Sequence, residues 1–255
     1  MLLANKEVAK FVAKKEKPEI PFVYRVHDEP NPDKVAEFAR FARELGIELK
    51  TDTPKQIAKS FNDLNKKAED DAALKMLQPI AIRTMAKAEY TTENIGHYGL
   101  AFDFYSHFTS PIRRYSDVLA HRILQKVIVG KNYRVDKTAL EDQCRHVSAM
   151  ERKAMEAERE SIKYKQVEYI EKNIGEEFEG IISGIIDRGI FVELKESKCE
   201  GMIGFETMDE GFEVAEGRLK AVGKRSGKVF KMGDTIKVII KEADLQRRRI
   251  DMELA

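Results

Sequence analysis

The sequence predicts an α+β protein, with a mostly helical part over residues 1–174 followed by a small β-barrel over residues 175–255. Two observations carry that prediction. Up to Asn173 the chain shows helical periodicity punctuated by caps and stop signals. After Asn173-Ile174-Gly175 it changes to short runs rich in β-branched residues with turn residues between them. Several short strands in one small module suggest a closed barrel.

Residues 3–15 place Ala4, Val8, Phe11 and Val12 on one helical face. The segment PEIPFVYRVHDEPNP reads as an extended connection holding a short strand, FVYRV. Asn31 and Pro32 fit the cap and first turn of a helix running to Leu45 and closed by Gly46. Thr53-Pro54 opens another helix by the same logic. A further helix begins near Asp70-Asp71 and runs to about Lys87, broken or kinked at Pro79. The stretch from Gly96 to Phe108 is aromatic, contains glycine and is too irregular for a helix. Ser110-Pro111 then restarts a helix, which Gly130 stops. Asp136 caps the longest helix, over residues 137–172, with Leu140, Cys144, Val147, Ala154, Tyr164 and Val167 on its buried side. In the last part EEFEGIISGIIDRGIFVEL, TIKVIIKEAD and RRIDMEL read as strands.

Hydrophobic residues make up 42% of the chain, enough for a real core. Apolar runs such as Val127-Ile128-Val129 fall far short of the ~20 residues that span a bilayer, so no membrane association is expected. Lysines interrupt the N-terminal apolar residues too often for a signal peptide. Cys144 and Cys199 have no paired spacing, which argues against a disulfide framework or a zinc site and for a cytoplasmic location. The net charge of +1, from 45 basic and 44 acidic residues, points to no partner. Local charge says more. Between Gly217 and Lys231 lie Arg218, Lys220, Lys224, Arg225, Lys228 and Lys231, with no acidic residue among them. A second run is Arg247-Arg248-Arg249. The first reads as a basic loop, suited either to a polyanion or simply to solvent.

The most informative stretch is GHYGLAFDFYSHFTSPIRRYSDVLAHR, residues 96–122. It reads as a loop feeding a helix whose first turn holds Ser110, Pro111, Arg113 and Arg114. A helix N-terminus offers unpaired N–H groups and a positive dipole end, which suits a phosphate. Two arginines in that turn add forked donors that match phosphate oxygens. Tyr98, Tyr105, Phe108 and Tyr115 lie close in sequence and fit stacking on unpaired bases. The preferred reading is a phosphate-rich, single-stranded ligand; an ordinary capped helix beside an aromatic core fits the same residues. Asp103, His107, Asp117 and His121 make a weaker metal-ligand alternative, with Asp117 and His121 sharing a helical face. His121 reads better as a hydrogen-bonded interior residue.

HYGLAFDFYSHFTSPIRRYSDVLAHR closely resembles the final signature of the ribonuclease II and ribonuclease R family, the RNB-type exoribonucleases. The resemblance extends back through MLLAN and PFVYRVHDEP and forward through MERKAMEAERE. The stretch ending SGKVFKMGD is closer to the ribonuclease R branch. The resemblance implies that residues 1–174 are the C-terminal part of an RNB-type catalytic domain. It implies 3′→5′ exoribonuclease activity on single-stranded or structured RNA, releasing nucleoside 5′-monophosphates with Mg²⁺. The phosphate-gripping role falls on Arg113 or Arg114, with Arg113 preferred. His107, Thr109, Ser110 and Tyr115 of the motif, with Tyr98 and Tyr105 before it, become RNA-binding candidates. The family's metal carboxylates form a D-x₅-D-x-D-D cluster upstream of the MLLAN segment. That pattern does not occur in this chain, and Asp70-Asp71 lacks its spacing. The implied Mg²⁺ ligands therefore lie upstream. The expectation is a fragment inactive alone but able to bind RNA and prone to self-association, with a non-catalytic RNA-binding adaptor as the alternative.

Residues 175–255 resemble the OB-fold RNA-binding domain first recognised in a ribosomal small-subunit protein, through GIISGIIDRGIFVEL, EGMIGF, MGDTIKVIIKEAD and RRRIDMEL. The resemblance places Phe191, Asp244 and Arg248 at matching positions, with Lys237 as a neighbour. Arg188 stands where an aromatic is common, and Gly204 where a histidine is common. Lys224, Arg225 and Lys228 of the basic stretch complete the RNA-binding candidates.

Overall fold

In the computed structural model of the chain, residues 1–15, 20–44, 46–68, 77–130, 134–215, 218 and 220–255 are described. The chain divides into two compact units, residues 1–62 with 80–155 and residues 63–79 with 156–255.

Helix α1 (Leu2–Lys14) opens the first unit. Its buried face is Asn5, Ala9 and Val12, so Ala4 and Phe11 point outward, contrary to the sequence pattern. The stripe is rotated because Asn5 has partners inside the protein. Strand β1 (Tyr24–Val26) pairs antiparallel with β2 (Glu89–Thr91), with Arg25 opposite Tyr90. Helix α2 (Pro32–Glu44) begins at Asn31, whose Oδ1 accepts the N–H groups of Asp33 and Lys34 at 3.0 and 3.2 Å. It ends at Gly46, whose φ of +79° is a left-handed conformation that glycine adopts freely. The sequence-based end at Leu45 lies outside the described residues. Helix α3 (Pro54–Lys67) is capped by Thr53, and α4 (Leu77–Thr84) follows. The expected start at Asp70-Asp71 also lies outside the described residues.

Helix α5 (Tyr115–Val129) stops at Gly130 (φ +69°). Helix α6 (Lys137–Ile170) is capped by Asp136, whose Oδ1 accepts from the N–H groups of Thr138 and Ala139. Leu140, Cys144 and Val167 are buried and Val147 is partly buried, as the periodicity predicts. Ala154 and Tyr164 are exposed instead, because residues 152–165 have no buried side on this helix. The first unit's core gathers Ala9, Val12, Phe22, Tyr24, Ile123 and Leu140.

In the second unit β3 (Glu177–Ile186), β4 (Gly189–Leu194), β5 (Glu200–Gly204), β9 (Thr235–Asp244) and β10 (Arg249–Leu254) form a closed barrel in the order β10-β5-β4-β3-β9. Alternate residues fill it, including Ile182, Ile190, Val192, Ile203, Ile240 and Met252. Shortening one of these to alanine should cost ~2–5 kcal/mol. Gly189 is required by close approach: a Cβ there would lie 2.2 Å from the carbonyl oxygen of Ile203.

The basic stretch is only partly a loop. Lys220 and Lys231 lie in strands of a three-stranded antiparallel sheet of β6 (Phe212–Val214), β7 (Lys220–Gly223) and β8 (Val229–Lys231), and Lys224, Arg225 and Lys228 lie in the turn between β7 and β8. Ala221 and Phe230 pair across it and point inward, which turns the lysines on either side outward. Gly217 lies outside the described residues. Among the described residues, no helix is long and apolar enough to cross a membrane.

Candidate nucleic-acid interface

The loop before α5 is fixed from three sides. His27 N–H donates to Gly96 O at 3.1 Å and Tyr98 N–H to His27 O at 2.8 Å, which ties the loop to the end of β1. Arg25 N–H donates to Tyr105 O at 2.9 Å, and Ser106 Oγ donates to Val23 O at 2.6 Å. From α1, Asn5 Oδ1 accepts Phe108 N–H and Asn5 Nδ2 donates to Tyr105 Oη, both at 3.1 Å. A buried amide with both ends satisfied is stabilising, and it explains the rotated face of α1.

Behind the loop lies a polar cluster. Arg25 sits 4.6 Å above the Tyr90 ring and forms a 2.7 Å ion pair with Glu151. Tyr90 Oη lies 2.7 Å from His107 Nδ1, and the rings of Tyr90 and Tyr105 both meet His107 edge to face at 5.7 Å. Burial, then the charges of Arg114 and Arg25, push the His107 pKa down to about 4. Burial, followed by His27 and Arg25, does the same to His97. His27 and His97 stack at 5.1 Å, and Tyr98 continues the stack beyond His27.

The expected helix start at Ser110-Pro111 is displaced. Ser110 O accepts the N–H groups of both Arg113 and Arg114, at 3.2 and 3.1 Å, closing a turn. Arg114 is extended (φ −128°, ψ 116°) and is the cap from which α5 starts at Tyr115. The arginines thus precede the helix. Arg114 Nη2 donates to the buried Asp117 Oδ2 at 2.9 Å, which also accepts Ser110 N–H at 2.8 Å. Arg113 is exposed, and no described residue forms a hydrogen bond or ion pair with its guanidinium.

The other candidates separate by environment. Tyr105 is 4% exposed, its ring enclosed by His97, Phe102 and His107, so it supports the loop and is no base platform. Tyr98 donates its hydroxyl to Pro54 O at 2.7 Å. Thr109 and Ser110 are half-buried. Tyr115 is exposed on α5 beside Arg122, whose guanidinium lies 6.0 Å from the ring centre. His121 is exposed, stacked on Phe108 at 3.9 Å, and not interior.

The metal alternative is corrected as well. Asp117 accepts three protein donors, including Ser116 Oγ, and His107 and His121 have protein partners. Among the described residues, no three His, Cys, Asp or Glu converge on a point where a metal could bind. The residues here do not fit Mg²⁺.

On the barrel, Phe191 is half-buried against Gly184. Lys237 pairs with Glu177 at 2.6 Å, and Arg248, at positive φ in the β9–β10 turn, pairs with Glu160. Neither cation is free of a carboxylate. Lys224, Arg225 and Lys228 crown the β7–β8 turn, which Glu210 holds by accepting the N–H groups of Arg225 and Ser226. Lys220 stands directly opposite Lys231. Like charges in cross-strand register repel.

The sequence reading did not single out Asn5, Arg25, Tyr90, His97 or Glu151. Only Asn5 carried a signal, as a polar residue in line with Ala9 and Val12.

A family model for the RNB domain matches residues 1–130, and one for the S1 RNA binding domain matches residues 171–255. The chain is 39% identical to Ribonuclease R of Aquifex aeolicus, over the whole chain and 36% of that relative. It thus spans about a third of that curated relative's length. The solved apo form of Mycoplasma genitalium RNase R matches with 30% identity and a TM-score of 0.87, over 100% of this chain and 40% of that one. The same enzyme in complex with ribose methylated single-stranded RNA matches with 30% identity and a TM-score of 0.86, at the same coverage. With its RNB match over residues 1–130 and its barrel matching the S1 domain, the chain belongs to the RNB family of ribonucleases.

Proposed function

We propose that the chain supplies the phosphate-gripping and RNA-guiding part of a 3′→5′ exoribonuclease. That enzyme releases nucleoside 5′-monophosphates from single-stranded or structured RNA in the cytoplasm. In this reading residues 1–174 belong to the catalytic domain and residues 175–255 form the RNA-binding barrel. The observation that carries it is Arg113: an exposed guanidinium with no partner among the described residues, on a turn closed by Ser110, inside the segment that the RNB family model matches. A forked cation held this way binds a phosphate and stabilises the charge that develops as the phosphodiester is attacked. Carboxylates outside these 255 residues would hold Mg²⁺, which when bound would lower the pKa of the attacking water. This chain's own residues bind RNA in two places: Arg113 of the first unit takes a phosphate, and the basic crown of the β7–β8 turn takes the backbone.

The test compares the 255-residue chain with the full-length protein on 5′-labelled and 3′-labelled RNA with Mg²⁺. The full-length protein should release monophosphates from the 3′ end, and the 255-residue chain should bind RNA without shortening it. Shortening by the pure 255-residue chain would place a metal site within it and overturn this division of roles.

A further inference from the structure

We propose that Asp117 is a positioning residue for Arg113, setting the turn that presents the guanidinium to a phosphate. Asp117 is completely buried, yet its carboxylate lies at the start of α5, directly beneath the exposed turn. Its two oxygens accept three donors: Ser110 N–H at 2.8 Å, Arg114 Nη2 at 2.9 Å and Ser116 Oγ at 3.1 Å. Two of those donors belong to the residues that bracket Arg113. On one side, Ser110 gives its N–H to Asp117 while its carbonyl accepts the N–H groups of Arg113 and Arg114. On the other, Arg114 is extended and clamped by its ion pair, so the chain direction on both sides of Arg113 is set by one carboxylate. The two arginines therefore have different roles: Arg114 pairs inward with Asp117, and Arg113 is left outward and available. The Arg114 guanidinium neutralises the buried carboxylate and donates toward it from a planar group, which a lysine would not reproduce.

The proposal rests on the reading of Arg113 as the phosphate contact. An error of about 1 Å in presenting such a group lowers a rate by ~10²-fold with little effect on ground-state binding. The experiment uses the full-length protein and measures single-turnover cleavage of a single-stranded RNA with Mg²⁺, alongside equilibrium RNA binding. The variants are Asp117→Asn, Ser116→Ala, Arg113→Ala and each of the first two combined with Arg113→Ala. Asp117→Asn should slow cleavage by roughly 10- to 100-fold and change RNA affinity by less than about threefold. Ser116→Ala, which removes one donor and leaves the pair with Arg114, should slow it by a few-fold. In the Arg113→Ala background neither substitution should slow cleavage further, because residues acting through one contact are not additive.

Normal cleavage by Asp117→Asn with impaired Arg113→Ala overturns the proposal and leaves the reading of Arg113 standing. Multiplying effects in the double variants overturn it too, since Asp117 would then act by another route. Normal cleavage by Arg113→Ala removes both the reading and the proposal. Should Asp117→Asn not fold, the cycle between Ser116→Ala and Arg113→Ala gives the same decision.

Discussion

Tyr90 Oη and His107 Nδ1 meet at 2.7 Å, joining β2 to the signature loop behind the turn that carries Arg113. The imidazole faces two guanidiniums, Arg114 and Arg25, so protonating it would place a third positive charge in a half-buried cluster. His97 lies in the same field and next to a second histidine.

Both rings should therefore be neutral at physiological pH, with pKa values of about 4 against an ordinary value of 6.5. The unfolded chain then binds more protons than the folded one as pH falls below 6.5. Stability should decline over that window, from about pH 6.5 toward 4, and be unaffected by these groups above it. Thermal melts across pH 8 to 4.5 would show the decline, and His107→Gln should flatten it. An NMR titration that gives His107 a midpoint near 6.5 would contradict this assignment.

Arg113 should be more sensitive in rate than in binding. In the full-length protein Arg113→Lys and Arg113→Ala should each lower single-turnover cleavage by ~10²–10³-fold, because an ammonium cannot reproduce the paired donors. RNA affinity should change little, since binding is spread over many phosphates. Equal losses in affinity and rate would assign Arg113 to uniform binding instead.

RNA binding by the 255-residue chain should be strongly salt-dependent. Each phosphate contact to a single strand adds ~0.7 to the slope of log affinity against log salt. Replacing Lys224, Arg225 and Lys228 together by alanine should weaken binding and reduce that slope by up to about 2. Arg225 should contribute least, because its Nη2 already donates to Asp209 O. An unchanged slope in the triple variant would remove the β7–β8 crown from the interface.

Glu141 should be a stability residue. Its Oε2 accepts Thr92 N–H and Thr92 Oγ1 at 2.7 Å and Thr91 Oγ1 at 3.0 Å, tying α6 to the end of β2. Burial alone would raise its pKa, but these hydrogen bonds outweigh burial and hold the carboxyl below its usual value. Its contribution is present above the ordinary carboxylate range and is lost as pH falls through the depressed value. Glu141→Ala leaves the buried Thr92 N–H without its acceptor and should cost ~1–3 kcal/mol at neutral pH. Denaturant titration that shows no loss would contradict this.

The succession of a helical part and a closed barrel, the caps at Asn31, Thr53 and Asp136, and the stops at Gly46 and Gly130 were all legible in the sequence. Each depends on a residue's own side chain or backbone preference, acting within a few positions. HFTSPIRRY was legible for the same reason, as a dense local pattern inside the segment that the RNB family model matches. Tertiary structure alone decided that α5 starts after the arginines, because a buried carboxylate seven residues beyond Ser110 captures its N–H. It also decided that Asn5 faces inward, since its partners Tyr105 and Phe108 lie about a hundred residues away. The two ends of the basic stretch became strands because Ala221 and Phe230, with Phe212, found a core to pack against. Local preference is a property of the chain, whereas a buried polar group's partner is set by what the fold brings beside it.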